Sequence, residues 1–327
     1  MKRRIDLRVT FSAIAAASLA AASVTGGALA QPTIPAPQPP EAFAPATAGD
    51  APDLAFGAYQ RGYYGTALAE AMKRITANPQ DAAAMTLLGE LYAQGLAVRR
   101  DPTEANRWYK LASERGDRQA TFKLGLAKLT GDGTPKDREG AAALFKTAAA
   151  AGHPGAMYNL GVLAIDGNGV VSDFSGAAKY FETAANLGDG DAAYALGILY
   201  RNGSGVEKSD ERAAYWIARA AGADNVPGEV EYGIMLFNGV GVAKDETAGA
   251  KQFLKAAARD NPVAQNRIAR ILAAGRGLPK NSVEAMKWHL LARSAGIKDP
   301  WLDGELAKLS PKDKEAVQAA VRQYVGR

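Results

Sequence analysis

The chain contains no cysteine. That excludes disulfide bracing, thiolate-held zinc and a lipid attached through sulfur, so the fold must rest on packing and hydrogen bonds alone. Histidine is almost as scarce: His153 and His289 are the two present, and neither has a second ligand at metal spacing. No Ser-x-x-Lys occurs anywhere. Asp and Glu are plentiful but sit mainly at helix-cap positions and polar faces, where they carry no argument for a catalytic pair. The Gly-x-Gly stretches recur copy after copy, as a structural turn does and a phosphate loop does not. Charge is also modest. The first thirty residues hold four basic side chains and one acidic, so removing them takes the net charge from +5 to +2, which does not favour nucleic acid. These absences lead to a reading without catalysis, metal or cofactor.

What is present is a period. Gly89, Gly125, Gly161, Gly197 and Gly233 stand 36 residues apart, with Ala269 in the next slot. A repeat of this size predicts stacked helical hairpins, an all-α solenoid in which no single hairpin covers its own apolar face. The stretch from Pro154 to Asp189 shows the unit, with apolar or small residues at helical spacing over about 154–165 and again over 174–187.

Each copy punctuates its helices in the same way. Asp101, Asp137, Asp173, Ser209, Asp245 and Asn281 fall where a side-chain oxygen can cap the second helix. Asp81, Asp117, His153, Asp189, Asn225 and Asn261 take the equivalent place before the first. Asp101 with Glu104, and Asn281 with Glu284, have capping-box spacing. Glycines at 95, 131, 167, 203, 239 and 275 read as helix C-caps, and a second glycine two residues on is replaced only by Ala97. Alanines, among them Ala148 and Ala184, leave no bulk where helices are expected to cross, while Tyr109, Phe145, Phe181, Ile217, Phe253 and His289 stand three residues earlier. His153 reads as a junction residue and His289 as a half-buried core ring. The segment Gly222 to Gly228 carries its glycine early and a proline late, which suggests a bend or looser packing at the fourth junction.

This combination of Leu-Gly, Gly-x-Gly-Val, Asp, aromatic, Ala-Ala and Gly resembles the Sel1-like repeat, a relative of the tetratricopeptide repeat. The resemblance covers about 81–296 and departs from the pattern at Tyr232, Ile268 and Ala269. It implies a right-handed α-solenoid of six hairpins, at 81–116, 117–152, 153–188, 189–224, 225–260 and 261–296. Residues 53–80, with Gly62 at a turn, read as an N-terminal capping hairpin, and 297–327 as C-terminal capping helices. Ahead of these, basic residues before an alanine-rich apolar run and Ala28-Leu29-Ala30 mark residues 1–30 as a secretory signal peptide. The Pro- and Ala-rich residues 31–52 read as an extended leader without a core.

In tetratricopeptide-like solenoids the first helix of each hairpin lines the concave side, and the resemblance carries that expectation here. It places Phe122, Tyr158 and Tyr194 in an aromatic ladder flanked by Lys123 and Asn159, a surface suited to an extended peptide or protein loop. The alternative is that these rings fill space between hairpins. The order of signal, N-terminal hairpin, repeats and helical tail is similar to the ExoR-type periplasmic regulators of alphaproteobacteria. That resemblance implies a periplasmic scaffold bound to the periplasmic domain of a membrane sensor kinase, modulating two-component control of exopolysaccharide and envelope stress. Another envelope protein as partner, or a peptidoglycan-binding or penicillin-interacting role with possible enzymatic activity, is the competing reading. No nucleic acid and no membrane insertion after signal cleavage are expected.

Two substitutions test the module. Ala184→Leu should destabilise the fold by about 1 to 3 kcal/mol through overpacking, and Asp173→Ala by about 1 kcal/mol through loss of a cap. Thermal melts of each variant read these effects.

Overall fold

The computed structural model describes residues 53–167 and 172–326. The expected signal peptide, the Pro- and Ala-rich leader and the turn at Gly169 lie outside the described residues. Within them the chain forms sixteen helices and no strand. An N-terminal pair, α1 (Leu54–Gln60) and α2 (Tyr64–Ala77), precedes the repeats. The repeats follow as α3 (Ala82–Gln94) with α4 (Pro102–Glu114), α5 (Arg118–Thr130) with α6 (Arg138–Ala150), and α7 (Pro154–Asp166) with α8 (Phe174–Asn186). Then come α9 (Gly190–Asn202) with α10 (Asp210–Gly222), α11 (Val226–Asn238) with α12 (Glu246–Ala257), and α13 (Pro262–Ala274) with α14 (Ser282–Ser294). The chain closes with α15 (Pro300–Ala307) and α16 (Pro311–Val325). Each repeat helix packs on its hairpin partner, and each second helix of the first five repeats packs on the first helix of the next hairpin, the nearest-neighbour pattern of a solenoid.

Local hydrogen bonding explains why the hairpins are so alike. Asp101, Asp137 and Asp173 each accept from the backbone N–H three residues on, at 3.0, 2.8 and 2.7 Å. Ser209, Asp245 and Asn281 do the same. His153 joins the first-helix caps, its Nδ1 accepting from Ala156 N–H at 3.2 Å while Nε2 meets Gln119. The capping boxes do not close. The amides of Asp101 and Asn281 instead donate to the carbonyls of Tyr92 and Leu272 in the preceding helix, which leaves Glu104 and Glu284 to pair with Arg107 and Lys287. That bond between the two helices of a hairpin recurs in all six repeats, through Asp137 to Lys128, Asp173 to Ala164, Ser209 to Tyr200 and Asp245 to Leu236. A helix-linking backbone bond competes for the same amide and wins.

Side-chain packing sets the spacing. A Cβ placed on Gly161 would lie 2.5 Å from the Phe181 ring, one on Gly125 2.7 Å from Phe145, and one on Gly197 2.5 Å from Ile217. The large residue of the second helix therefore rests on the reference glycine of its own hairpin. The alanine three residues after it turns to the next hairpin instead: Ala220 Cβ lies 2.8 Å from where a Cβ on Gly228 would be. Ala148 and Ala184 are correspondingly buried. In the sixth repeat Ala269 stands in the glycine slot and His289 in the large-residue slot, and both are buried. His289 is fully buried rather than half-buried, with Nε2 on Asp303 at 2.9 Å.

The second loop glycines meet a different neighbour. A Cβ on Gly241 would fall 2.0 Å from the Asp210 carbonyl oxygen, and one on Gly205 2.3 Å from the Phe174 carbonyl carbon, so these loops press on the start of the preceding second helix. Ala97 also adopts a left-handed φ of 63°, but it is exposed and its methyl has room. The fourth junction is regular. Asp224, like Asp260 one repeat later, takes the left-handed conformation that glycine takes at 116, 152, 188 and 296, Asn225 N–H bonds to Ala220 O, and the close approach of Gly228 shows tight packing rather than a loose bend.

At the C-terminal end α16 packs on α14, burying Val317, and Tyr324 sets its ring 5.2 Å from Trp288. At the other end Arg74 bridges Asp53 and Asp81, tying α2 to the caps of α1 and α3.

Glycine-to-alanine substitutions should split in sign. Gly161→Ala gains helix propensity of about 1 kcal/mol but collides with Phe181, and a net loss of about 1 to 3 kcal/mol is expected. Gly304→Ala, where a Cβ meets nothing within 4 Å, should stabilise by up to about 1 kcal/mol. Equilibrium denaturation of both variants checks the contrast.

Candidate protein-binding face

The residue one after the reference glycine lies three and four positions beyond those two and three before it, so it neighbours both on one side of each first helix. First helices of neighbouring hairpins touch, α3 with α5 and α9 with α11, which brings successive stripes side by side. Charges bridge them. Lys123 on α5 meets Glu90 on α3 at 2.9 Å, Arg201 on α9 pairs with Glu231 on α11, and Arg270 on α13 meets Asp299 ahead of α15 at 2.6 Å. Burial of Glu90 works against its charge, yet Lys123 beside it outweighs that cost and holds its pKa below the ordinary carboxylate value. Tyr109 donates to the same carboxylate at 2.9 Å, and burial pushes that phenol far above its usual range.

The five residues expected to form the site divide by environment. Phe122, Tyr158 and Tyr194 are half-buried. Phe122 stacks on His153 with centroids 4.3 Å apart and tilts against the core ring Phe145 at 5.8 Å. Tyr158 repeats the arrangement on Phe181 at 5.6 Å. Burial raises the Tyr194 phenol, with Glu231 adding to the shift. Each ring therefore has one part in the core and one part at the surface, so the two sequence readings, core filler and exposed ladder, describe different parts of one side chain. Lys123 is committed to Glu90. Asn159 is buried, and its amide donates to Gly155 O at 2.7 Å, so it is a helix-internal bond rather than a donor offered to a partner.

The same stripe holds more at the sixth repeat than the sequence reading assigned. A cavity of about 410 Å³ opens between α11, α13 and α15, with Arg267, Arg270, Arg276, Phe237 and Trp301 on its walls. The Arg270 guanidinium lies 5.3 Å from the Trp301 ring and that of Arg276 4.8 Å from the Phe237 ring. Arg267 occupies the slot of Lys123, and following that slot down all six repeats was the available signal; Trp301 lies beyond the periodic region and had none. Among the described residues no group of three or more metal-ligating side chains occurs, and no helix is long and apolar enough to cross a membrane.

The Sel1 repeat matches residues 82–117, 118–153, 154–189, 190–225, 226–261 and 262–297. A crystal structure of a Sel1 repeat protein from Oxalobacter formigenes is 31% identical, with a TM-score of 0.67 over 74% of this chain and 98% of that one. A protective antigen of uropathogenic Escherichia coli with an SLR fold, c5321, is 23% identical, with a TM-score of 0.46 over 80% of this chain and 64% of its own. None of the curated proteins compared with the chain matches it.

Asp299 gives this end of the face an acid dependence. Burial opposes its ionisation, but hydrogen bonds from Arg270, Asn266 and the Leu302 N–H bring its pKa down to about 2. An unfolded aspartate titrates near ~3.9, so this contribution to stability is complete above that pH and is lost as the pH falls towards about 2. The melting temperature of the wild type should therefore exceed that of Asp299→Asn at neutral pH, with the gap closing through that acid window.

Proposed function

The chain belongs to the Sel1 repeat family, a family of protein-interaction scaffolds, and we propose that it works as a non-catalytic scaffold in the periplasm, binding the periplasmic domain of a membrane sensor kinase through the first-helix face. The observation that carries this reading is the run of half-buried rings Phe122, Tyr158 and Tyr194 on three consecutive first helices. Phe122 and Tyr158 are anchored on the core rings Phe145 and Phe181, so they lose little freedom when a partner covers their remaining surface, which is the property of a good interface anchor. Lys123 and Glu90 form a fixed charge pair beside them. The periplasmic site of action rests on the basic and apolar pattern of residues 1–30, and the kinase as partner on the similarity to ExoR-type regulators in the N-terminal hairpin and the tail. Regulation in this reading is steric: a kinase domain held against the repeats is not free to signal.

Tyr158→Ala distinguishes anchor from filler. Partner affinity should fall by about 2 kcal/mol, while stability falls by less than the roughly 3 to 5 kcal/mol of a fully buried ring. Affinity and melt are measured on the same preparation. A photoreactive side chain in place of Tyr194 in intact cells should form an adduct with a sensor kinase; adducts confined to peptidoglycan would overturn the assignment.

A further inference from the structure

The cavity at the sixth repeat has a chemistry of its own. Its three arginines are not equivalent: Arg270 is held by Asp299 at 2.6 Å and Arg276 by Glu246 at 2.5 Å, whereas Arg267 meets no acceptor among the described residues. The two paired guanidinium groups lie near aromatic rings, so they are positioned and partly screened. Asp299 is buried beneath Arg270, with 3% of its side chain exposed, and does not offer its charge to the cavity. Arg267 faces the same space with its charge uncompensated. The floor is apolar, from Ile234, Phe253 and Ile271. A volume of about 410 Å³ falls in the range of pockets that enclose an organic ligand rather than a bare ion.

We propose that this cavity receives a carboxylate-bearing segment of a protein partner, an acidic side chain on Arg267 with an adjoining aromatic or large aliphatic side chain on the floor beside Trp301. Charge complementarity selects the occupant. Guanidinium groups bind carboxylates in a bidentate, directional way, and the apolar floor adds burial that a free anion cannot use. Trp301, 43% exposed and set near Arg270, supplies the large aromatic surface characteristic of interface anchors. The inference deepens the scaffold reading and rests on it, but it concerns the sixth repeat, away from Tyr158 and Tyr194 in the third and fourth.

The test is a selection of short random peptides on the immobilised full chain, followed by fluorescence anisotropy of an enriched peptide. Enrichment of Asp or Glu next to Phe, Trp or Leu is expected. Arg267→Glu should weaken binding by about tenfold or more, Trp301→Ala should weaken it as well, and affinity should fall as salt is raised. Melts confirm folding, with Arg267→Ala as the milder variant. Enriched peptides without acidic bias, or affinities unchanged by Arg267→Glu, overturn the proposal. If that happens while the Tyr194 adduct persists, the cavity is dismissed and the scaffold stands. Loss of the Tyr194 adduct with Arg267-dependent peptide binding intact instead keeps the cavity as a binding site and removes the sensor kinase from the first-helix face.

Discussion

Everything in the repeat array depends on one contact, the seating of a large second-helix side chain on a residue that has almost no side chain. Where a Cβ on Gly161 would come within 2.5 Å of Phe181, its absence lets the two helix backbones approach until the ring fills the gap between them. The same approach places Ser172 and Asp173 beside the end of α7, where the Asp173 N–H reaches the Ala164 carbonyl. Crossing distance and loop register are thus set together. Because each hairpin solves the problem in the same way, the next hairpin meets the same alanine surface, and the array propagates through neighbour contacts without a central core.

That arrangement decides which residues are left for recognition. The second helices spend their large side chains on glycine and their alanines on the following hairpin, as Phe181 and Ala184 show. First helices, in contrast, carry a stripe that no other helix covers completely, and its residues differ from repeat to repeat. The stripe changes character along the array: a Lys123 and Glu90 pair near one end, rings in the middle, and arginines at the sixth repeat. Variation on an otherwise repeated framework is what separates a binding surface from a structural one.

How far the sequence revealed this follows from the range of each interaction. Caps such as Asp137 and positive-φ glycines such as Gly131 act within a few residues, so their chemistry is visible in the local string, and all six second-helix caps form as read. The capping boxes failed because Asp101 N–H has a competitor nine residues back, the Tyr92 carbonyl, that exists only once the hairpin has closed. Asn159 was misplaced for a related reason: at a polar position of an amphipathic pattern it reads as surface, but in the fold it is buried and its amide turns back to Gly155. The rings at 122, 158 and 194 could not be assigned to core or surface from spacing because they belong to both.

The cavity at the sixth repeat shows why the end of a solenoid differs from its middle. Inside the array each first-helix stripe is flanked by another of the same geometry, which leaves shallow grooves. After α14 the period stops, and the terminal face must be covered by something that is not a repeat. Helix α15, eight residues long, enters at a different register and brings Trp301 against Arg270 while Asp299, its N-cap, pins it to α13. A short helix closes part of the face and leaves a hollow beside it. The arginines of α13 are consequently presented in a concave, partly apolar setting, and the capping of the fold itself creates the hollow at this end of the array.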